Sequence, residues 1–173
     1  MDNINVEKEK FLRWQFFLLT IAASFRRGNI YVKDAKEEHK KVFRNTLFYA
    51  LNGIAEQPEA FKDEKSLVSS MWTVEHQSKN YDHILKGGKL RFGTCQKLVN
   101  LYLKYLWCAG MIEQTPLHFP LDRLIQKGSS KLNWTSLEDS AVYLDKINEI
   151  CPLPNKAEWE LNEYNKQFYY LKK

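Results

Sequence analysis

Apolar residues recur along most of this chain at spacings of three and four, and almost nowhere at the two-residue spacing of a half-buried strand. A long apolar helix is predicted from Val6 to Arg27, with Asn3 or Asn5 as its cap and Gly28 as its stop. Its core, Phe16 to Phe25 (FFLLTIAASF), is flanked by Arg13 and by Arg26 and Arg27. That leaves far fewer than the ~20 apolar residues of a membrane span, so a buried helix is expected and no membrane partner. A second helix is predicted from Asp34 to Ala55, with Phe43, Leu47, Ala50, Leu51 and Ile54 on one face and Lys41, Arg44 and Phe48 on the other side. A third begins near Asp63, buries Leu67, Val68, Met71 and Trp72, and loses its period near Gln77.

The best-defined helix covers residues 94–109 and stops at Gly110, a residue suited to the left-handed position after a helix. Its apolar residues occupy well over half of its circumference, which predicts a central position in the fold. Gln96, Asn100, Lys104 and Trp107 form one polar line along it, and such a line faces either solvent or a cleft. Pro120 is placed to start a short helix to Gln126. Thr135-Ser136-Leu137-Glu138 reads as a capping box opening a helix to Ile150, and a last helix runs from Lys156 to about Leu171. The piece IYV at 30–32 is the only extended signal. The expected architecture is all-α: one domain over residues 1–173, a compact globular array of about seven helices around the helix at 94–109.

Composition narrows the chemistry. With 44% hydrophobic and 27% charged residues the chain is ordinary for a globular protein. Cys95, Cys108 and Cys151 contain no CxxC spacing, which argues for a reducing, cytoplasmic setting and against a disulfide framework or zinc ribbon. His39, His76, His83 and His118 are scattered and HExxH is absent, so no metal and no cofactor are expected. Cys95 is the one cysteine close to both positive charge and a helix start, although packing is its simpler role.

Charge is uneven. Residues 79–104 hold Lys79, Lys86, Lys89, Arg91, Lys97 and Lys104 against Asp82 alone, so this window carries the whole formal charge of +5. Its loop, KGGKLRFGTCQK, leads into the central helix, whose first N–H groups are unpaired and attract anions. Gly87, Gly88 and Gly93 would admit a phosphate close to backbone, and Lys86, Lys89, Arg91 and Lys97 would supply charge. No Walker or dinucleotide spacing is present. The favoured expectation is a nucleic-acid-binding domain, contacting phosphates through Lys86, Gly87, Gly88, Lys89, Arg91, Gly93, Lys97, Asn100, Lys104 and Trp107. Phe92 and Trp107 are candidates for stacking on bases, and Lys41 and Arg44 for extending the basic surface.

Two other readings stand beside it. The glycine-containing turn (Gly87, Gly88, Gly93), the lysines of QKLVNLYLK (Lys97, Lys104) and Asp122 in HFPLDRLI together resemble, over about residues 86–125, the catalytic stretch of helix-hairpin-helix DNA glycosylases. That resemblance implies a lyase-type enzyme in which Lys97 or Lys104 attacks the sugar carbon and Asp122 assists. The third reading is a protein-interaction module, of adaptor or immunity-partner type, in which the basic segment meets an acidic protein and Trp159 and Tyr170 anchor the contact.

Overall fold

The computed structural model describes residues 2–26, 29–126 and 132–169. Six α-helices make the all-α fold: α1 (Asp2–Phe25), α2 (Glu37–Ala55), α3 (Glu64–Ser78), α4 (Phe92–Cys108), α5 (Ser140–Ile150) and α6 (Lys156–Tyr169). Short 3-10 turns join several of them. Among the described residues the only β pairing is one isolated antiparallel bridge between Tyr31 and Leu85, which is where the IYV piece goes. There Val32 N donates to Ile84 O (2.9 Å) and Lys86 N donates to Ile30 O (2.8 Å).

Helix α4 lies at the centre, as its all-round apolar sequence requires. Leu98, Val99, Tyr102, Leu103 and Leu106 are buried, with α1, α3 and α2 packed against it. Each such side chain contributes roughly 1.5–3 kcal/mol relative to exposure. The helix ends as expected: Gly110 takes φ +68°, and the Met111 N–H reaches back to Leu106 O at 2.9 Å. Its N-terminus is set by packing. Gly93 N donates to Leu137 O at 2.8 Å, and a Cβ at this position would lie 1.7 Å from the Trp134 carbonyl oxygen. Gly93 thus lets the 134–137 turn press on α4.

The same contact relocates a helix start. Trp134 and Leu137 are buried against the beginning of α4, so residues 134–136 form a 3-10 turn and the Thr135–Glu138 capping box does not form. Helix α5 starts at Ser140, capped by Asp139, whose carboxylate accepts from Ala141 N at 2.7 Å. The helix expected at 120–126 is replaced by turns. Asp122 Oδ1 accepts from Leu124 N at 2.7 Å, a local bond that competes with helix. Helix α3 begins where expected, at Glu64 beside Asp63, and Asp63 caps it: Ser66 N donates to Asp63 Oδ1 at 2.7 Å. The stop assigned to Gly28 and the interface role assigned to Tyr170 lie outside the described residues.

Helix α1 departs furthest from expectation. Phe17, Thr20 and Ser24 are buried on its inner side, but Ile4, Phe11, Leu12, Leu18 and Leu19 are exposed, Phe11 by 62% and Leu19 by 53%. The helix expected to be buried is covered on one side only.

Candidate functional site

The basic junction is present, but its charge is largely spent inside the molecule. Glu75, buried on α3, accepts from Lys89 and pairs with Lys79 at 3.3 Å. Burial alone would raise the Glu75 carboxyl, but the two lysines hold it below the ordinary carboxylate range. Lys89 is raised in turn, chiefly by its bond to Glu75. Arg91 lies 3.4 Å from Glu138, and Lys89 reaches the same carboxylate at 3.8 Å. Leu90 N donates to Ser78 Oγ at 2.8 Å, which ties the loop to α3.

Gly87 and Gly88, both at φ +75°, turn the chain between Leu85 and Lys89. The remaining recess, about 90 Å³, is edged by Lys86, Lys89 and Arg91. In the first turn of α4, which borders that recess through Thr94, the Gly93 N–H is taken by Leu137 O and the Thr94 N–H by Arg91 O (2.9 Å). Phe92, a candidate for base stacking, is fully buried between Trp72 (4.7 Å between rings) and Tyr143 (5.6 Å). Trp107 sits at the other end of α4, roughly 24 Å from Arg91 by helix rise. Among the additions from α2, Lys41 is exposed and Arg44 is bonded to Glu37.

Most of the polar line on α4 faces neither solvent nor a cleft. Gln96, Asn100 and Lys104 are buried, as is Lys97 beside them, and only Trp107 at the end of the line is half-buried. Gln96 donates to Leu121 O (2.9 Å) and accepts from Leu121 N (3.1 Å). Asn100 Nδ2 donates to Phe119 O (3.2 Å) and to the Tyr143 hydroxyl (2.8 Å). These bonds satisfy backbone groups of the irregular 117–126 segment, which no helix or sheet pairs. Lys97 does meet Asp122, at 3.1 Å, with the Trp134 ring 4.6 Å from its ammonium. Carboxylate and indole face both hold an ammonium, whereas an amine nucleophile must be neutral and accessible. Lys104 is bonded to Glu160 of α6 with the Tyr164 ring 4.9 Å away, and it does not meet Asp122. Burial raises the Cys95 thiol well above its ordinary value, which makes it a packing residue.

The network extends to His118, whose Nδ1 is 3.0 Å from the Tyr143 hydroxyl and whose Nε2 is 3.2 Å from Glu64 Oε1. Burial holds this imidazole below its ordinary 6.5, against the opposing pull of Glu64. Below that value the unfolded chain takes up a proton that the native state refuses. Stability is therefore full above the ordinary value and is lost as the pH falls from there through the depressed native value. Denaturant midpoints are expected to drop between about pH 7.5 and about pH 5.5, and His118→Gln to flatten that dependence. An equal drop in the variant would assign the effect to other groups.

Two surfaces were not read from the sequence. One is the outer face of α1, where Ile4, Lys8, Phe11, Gln15, Leu18, Ala22 and Arg26 follow one line at spacings of three and four. Lys8 and Arg26, both exposed, have no carboxylate partner among the described residues. The other surface surrounds Tyr49 of α2, which is 72% exposed. On one side an apolar recess of about 510 Å³ is lined by Trp14 and Phe48, and on the other a groove of about 750 Å³ runs between α2 and α3. Gly53 borders both. A glycine inside a predicted helix was the available signal for this second surface.

No protein-family model, no curated protein and no solved structure matches this chain. Among the described residues no helix is long and apolar enough to cross a membrane, and no group of three or more His, Cys, Asp or Glu is placed to hold a metal ion.

Proposed function

We propose that this chain is a protein-interaction module of the adaptor type, docking an amphipathic, acid-ended helix of a partner protein along the outer face of α1. The observation that carries this is that α1 exposes Ile4, Phe11, Leu12, Leu18 and Leu19 on its outer side, while only the side against α4 and α2 is covered. Helices apolar all round belong in interiors, and a contiguous exposed apolar stripe marks a contact surface.

The acidic character of the partner follows from the ends of the stripe. Lys8 and Arg26 stand on it five turns apart, roughly 27 Å by helix rise. A second copy laid along the same stripe, parallel or antiparallel, brings like charges together at both ends, whereas a helix with Glu or Asp there is complementary. The three free cysteines, two of them buried, support placing this module in a reducing, cytoplasmic compartment.

Nucleic acid is the second reading, resting on the basic segment 79–104. The internal pairs leave Lys86 as the one cation of that segment without a carboxylate partner among the described residues. Non-specific phosphate binding draws its affinity from many released counterions, and one lysine supplies few.

Fluorescence anisotropy with two labelled synthetic helices tests the proposal. Both carry a seven-residue apolar repeat, one with Glu at its ends and one with Lys. The Glu-ended helix is expected to bind and the Lys-ended one to fail. Phe11→Asp with Leu19→Asp, folded by circular dichroism, is expected to weaken the first about tenfold or more. Equal binding of the two helices, or indifference to the double substitution, contradicts the proposal.

A further inference from the structure

The groove between α2 and α3 has a composition that packing alone does not account for. None of its lining residues is charged, in a chain where 27% are. The side-chain amides of Gln57, Gln77 and Asn80 line it without a partner among the described residues. Each offers donors and an acceptor. They stand at opposite ends. Gln57 is beside Ala60, whose N–H it accepts at 2.8 Å through its carbonyl, while Asn80 is beside Tyr81, whose hydroxyl lies 2.5 Å from Thr46 Oγ1. Between them the α2 side is apolar, formed by Ala50, Gly53 and Ile54, and the hydroxyls of Ser70 and Thr73 on the α3 side are already bonded to Ala60 O (2.8 Å) and Ser69 O (3.0 Å).

Gly53 is the second observation. It sits inside α2, where glycine costs about 1 kcal/mol relative to alanine. Nothing lies within 4 Å of where its Cβ would be, so no close approach of another element requires glycine there. What the missing side chain preserves is open space on the groove floor, beside the exposed Tyr49 ring.

We infer that this groove binds an extended, uncharged peptide segment, with its main-chain amides held by Gln57 at one end and by Gln77 and Asn80 at the other. Thr46 and Gln57 are separated by eleven residues, roughly 16 Å at helical rise. That length accommodates about five residues of extended chain. A peptide places a small apolar side chain over Gly53 between two amide-rich ends, matching the floor. A saccharide would set hydroxyls against Ala50 and Ile54, and an ionic ligand would find no counter-charge in the lining. This site is separate from the α1 face and does not depend on the reading given for it.

The test is an amide-detected NMR titration of the full chain with acetylated, amidated pentapeptides of alanine, valine and serine. Maltotriose and a lysine-containing pentapeptide serve as comparison probes. The neutral peptides are expected to shift the side-chain amide signals of Gln57, Gln77 and Asn80 and the backbone signal of Gly53, with the comparison probes leaving them in place. Gly53→Leu fills the floor with a good helix former and is expected to weaken binding about tenfold or more, while Gly53→Ala retains it and melts higher. Phe11→Asp with Leu19→Asp is expected to leave the pattern intact, so this site and the α1 face fail separately. Absence of shifts at the three amides, equal shifts with maltotriose, or unchanged binding in a folded Gly53→Leu protein overturns the inference.

Discussion

Lys104→Met is expected to destabilise the protein by about 3–5 kcal/mol, and Lys104→Met with Glu160→Leu to recover most of that loss. Lys104 on α4 and Glu160 on α6 are both buried and bonded to each other, and the Tyr164 ring covers the ammonium. Burial pushes the Glu160 carboxyl up, and Lys104 opposes that push. Removing the lysine leaves a carboxylate in a poorly solvated site with no counter-charge, which costs far more than the intact pair contributes. Protonation relieves the penalty, so the cost of the single substitution is expected to shrink on acidification, opposite to the trend from His118. Urea denaturation of the wild type, the single and the double variant at two pH values reads all of this. A single variant as stable as the wild type would place Lys104 in water.

Gly93→Ala is expected to cost about 3 kcal/mol or more, lowering the melting temperature by roughly 10 °C. A Cβ there would stand 1.7 Å from the Trp134 carbonyl oxygen, 2.9 Å from its carbon and 3.0 Å from Leu137 Cβ. The obstacle is mostly backbone, so no side-chain rotation relieves it. Either the 134–137 turn withdraws, exposing Trp134 and losing the Gly93 N–H bond to Leu137 O, or α4 shifts within the core. A melting temperature within about 2 °C of the wild type would show that the turn moves freely and that glycine is not required.

Local sequence carried the elements whose causes are local. The apolar circumference of α4, the start of α3 near Asp63 and the stop at Gly110 depend on residues within a turn of one another, and each stands as expected. What escaped was set by partners far along the chain. Glu75, Glu138, Asp122 and Glu160 neutralise lysines and an arginine that looked like a surface patch, and they come from α3, two loops and α6. Gln96 and Asn100 looked like a solvent line because the carbonyls of Leu121 and Phe119 that meet them belong to an irregular segment with no periodic signal. Helix α1 looked buried because its composition is apolar, and composition does not say how many sides are covered. The Thr135 capping box was overridden by the burial of Trp134 and Leu137.

The most direct measurement compares, on one preparation, the binding of the labelled Glu-ended helix and of labelled single-stranded DNA at low and moderate salt, with Lys89→Glu/Arg91→Glu and Phe11→Asp/Leu19→Asp beside the wild type. The helix is expected to bind, Phe11→Asp/Leu19→Asp to weaken this about tenfold or more, and DNA binding to be weak and little changed by Lys89→Glu/Arg91→Glu. Tight DNA binding that collapses with salt and with the charge reversal, together with no binding of the helix, would contradict the proposal.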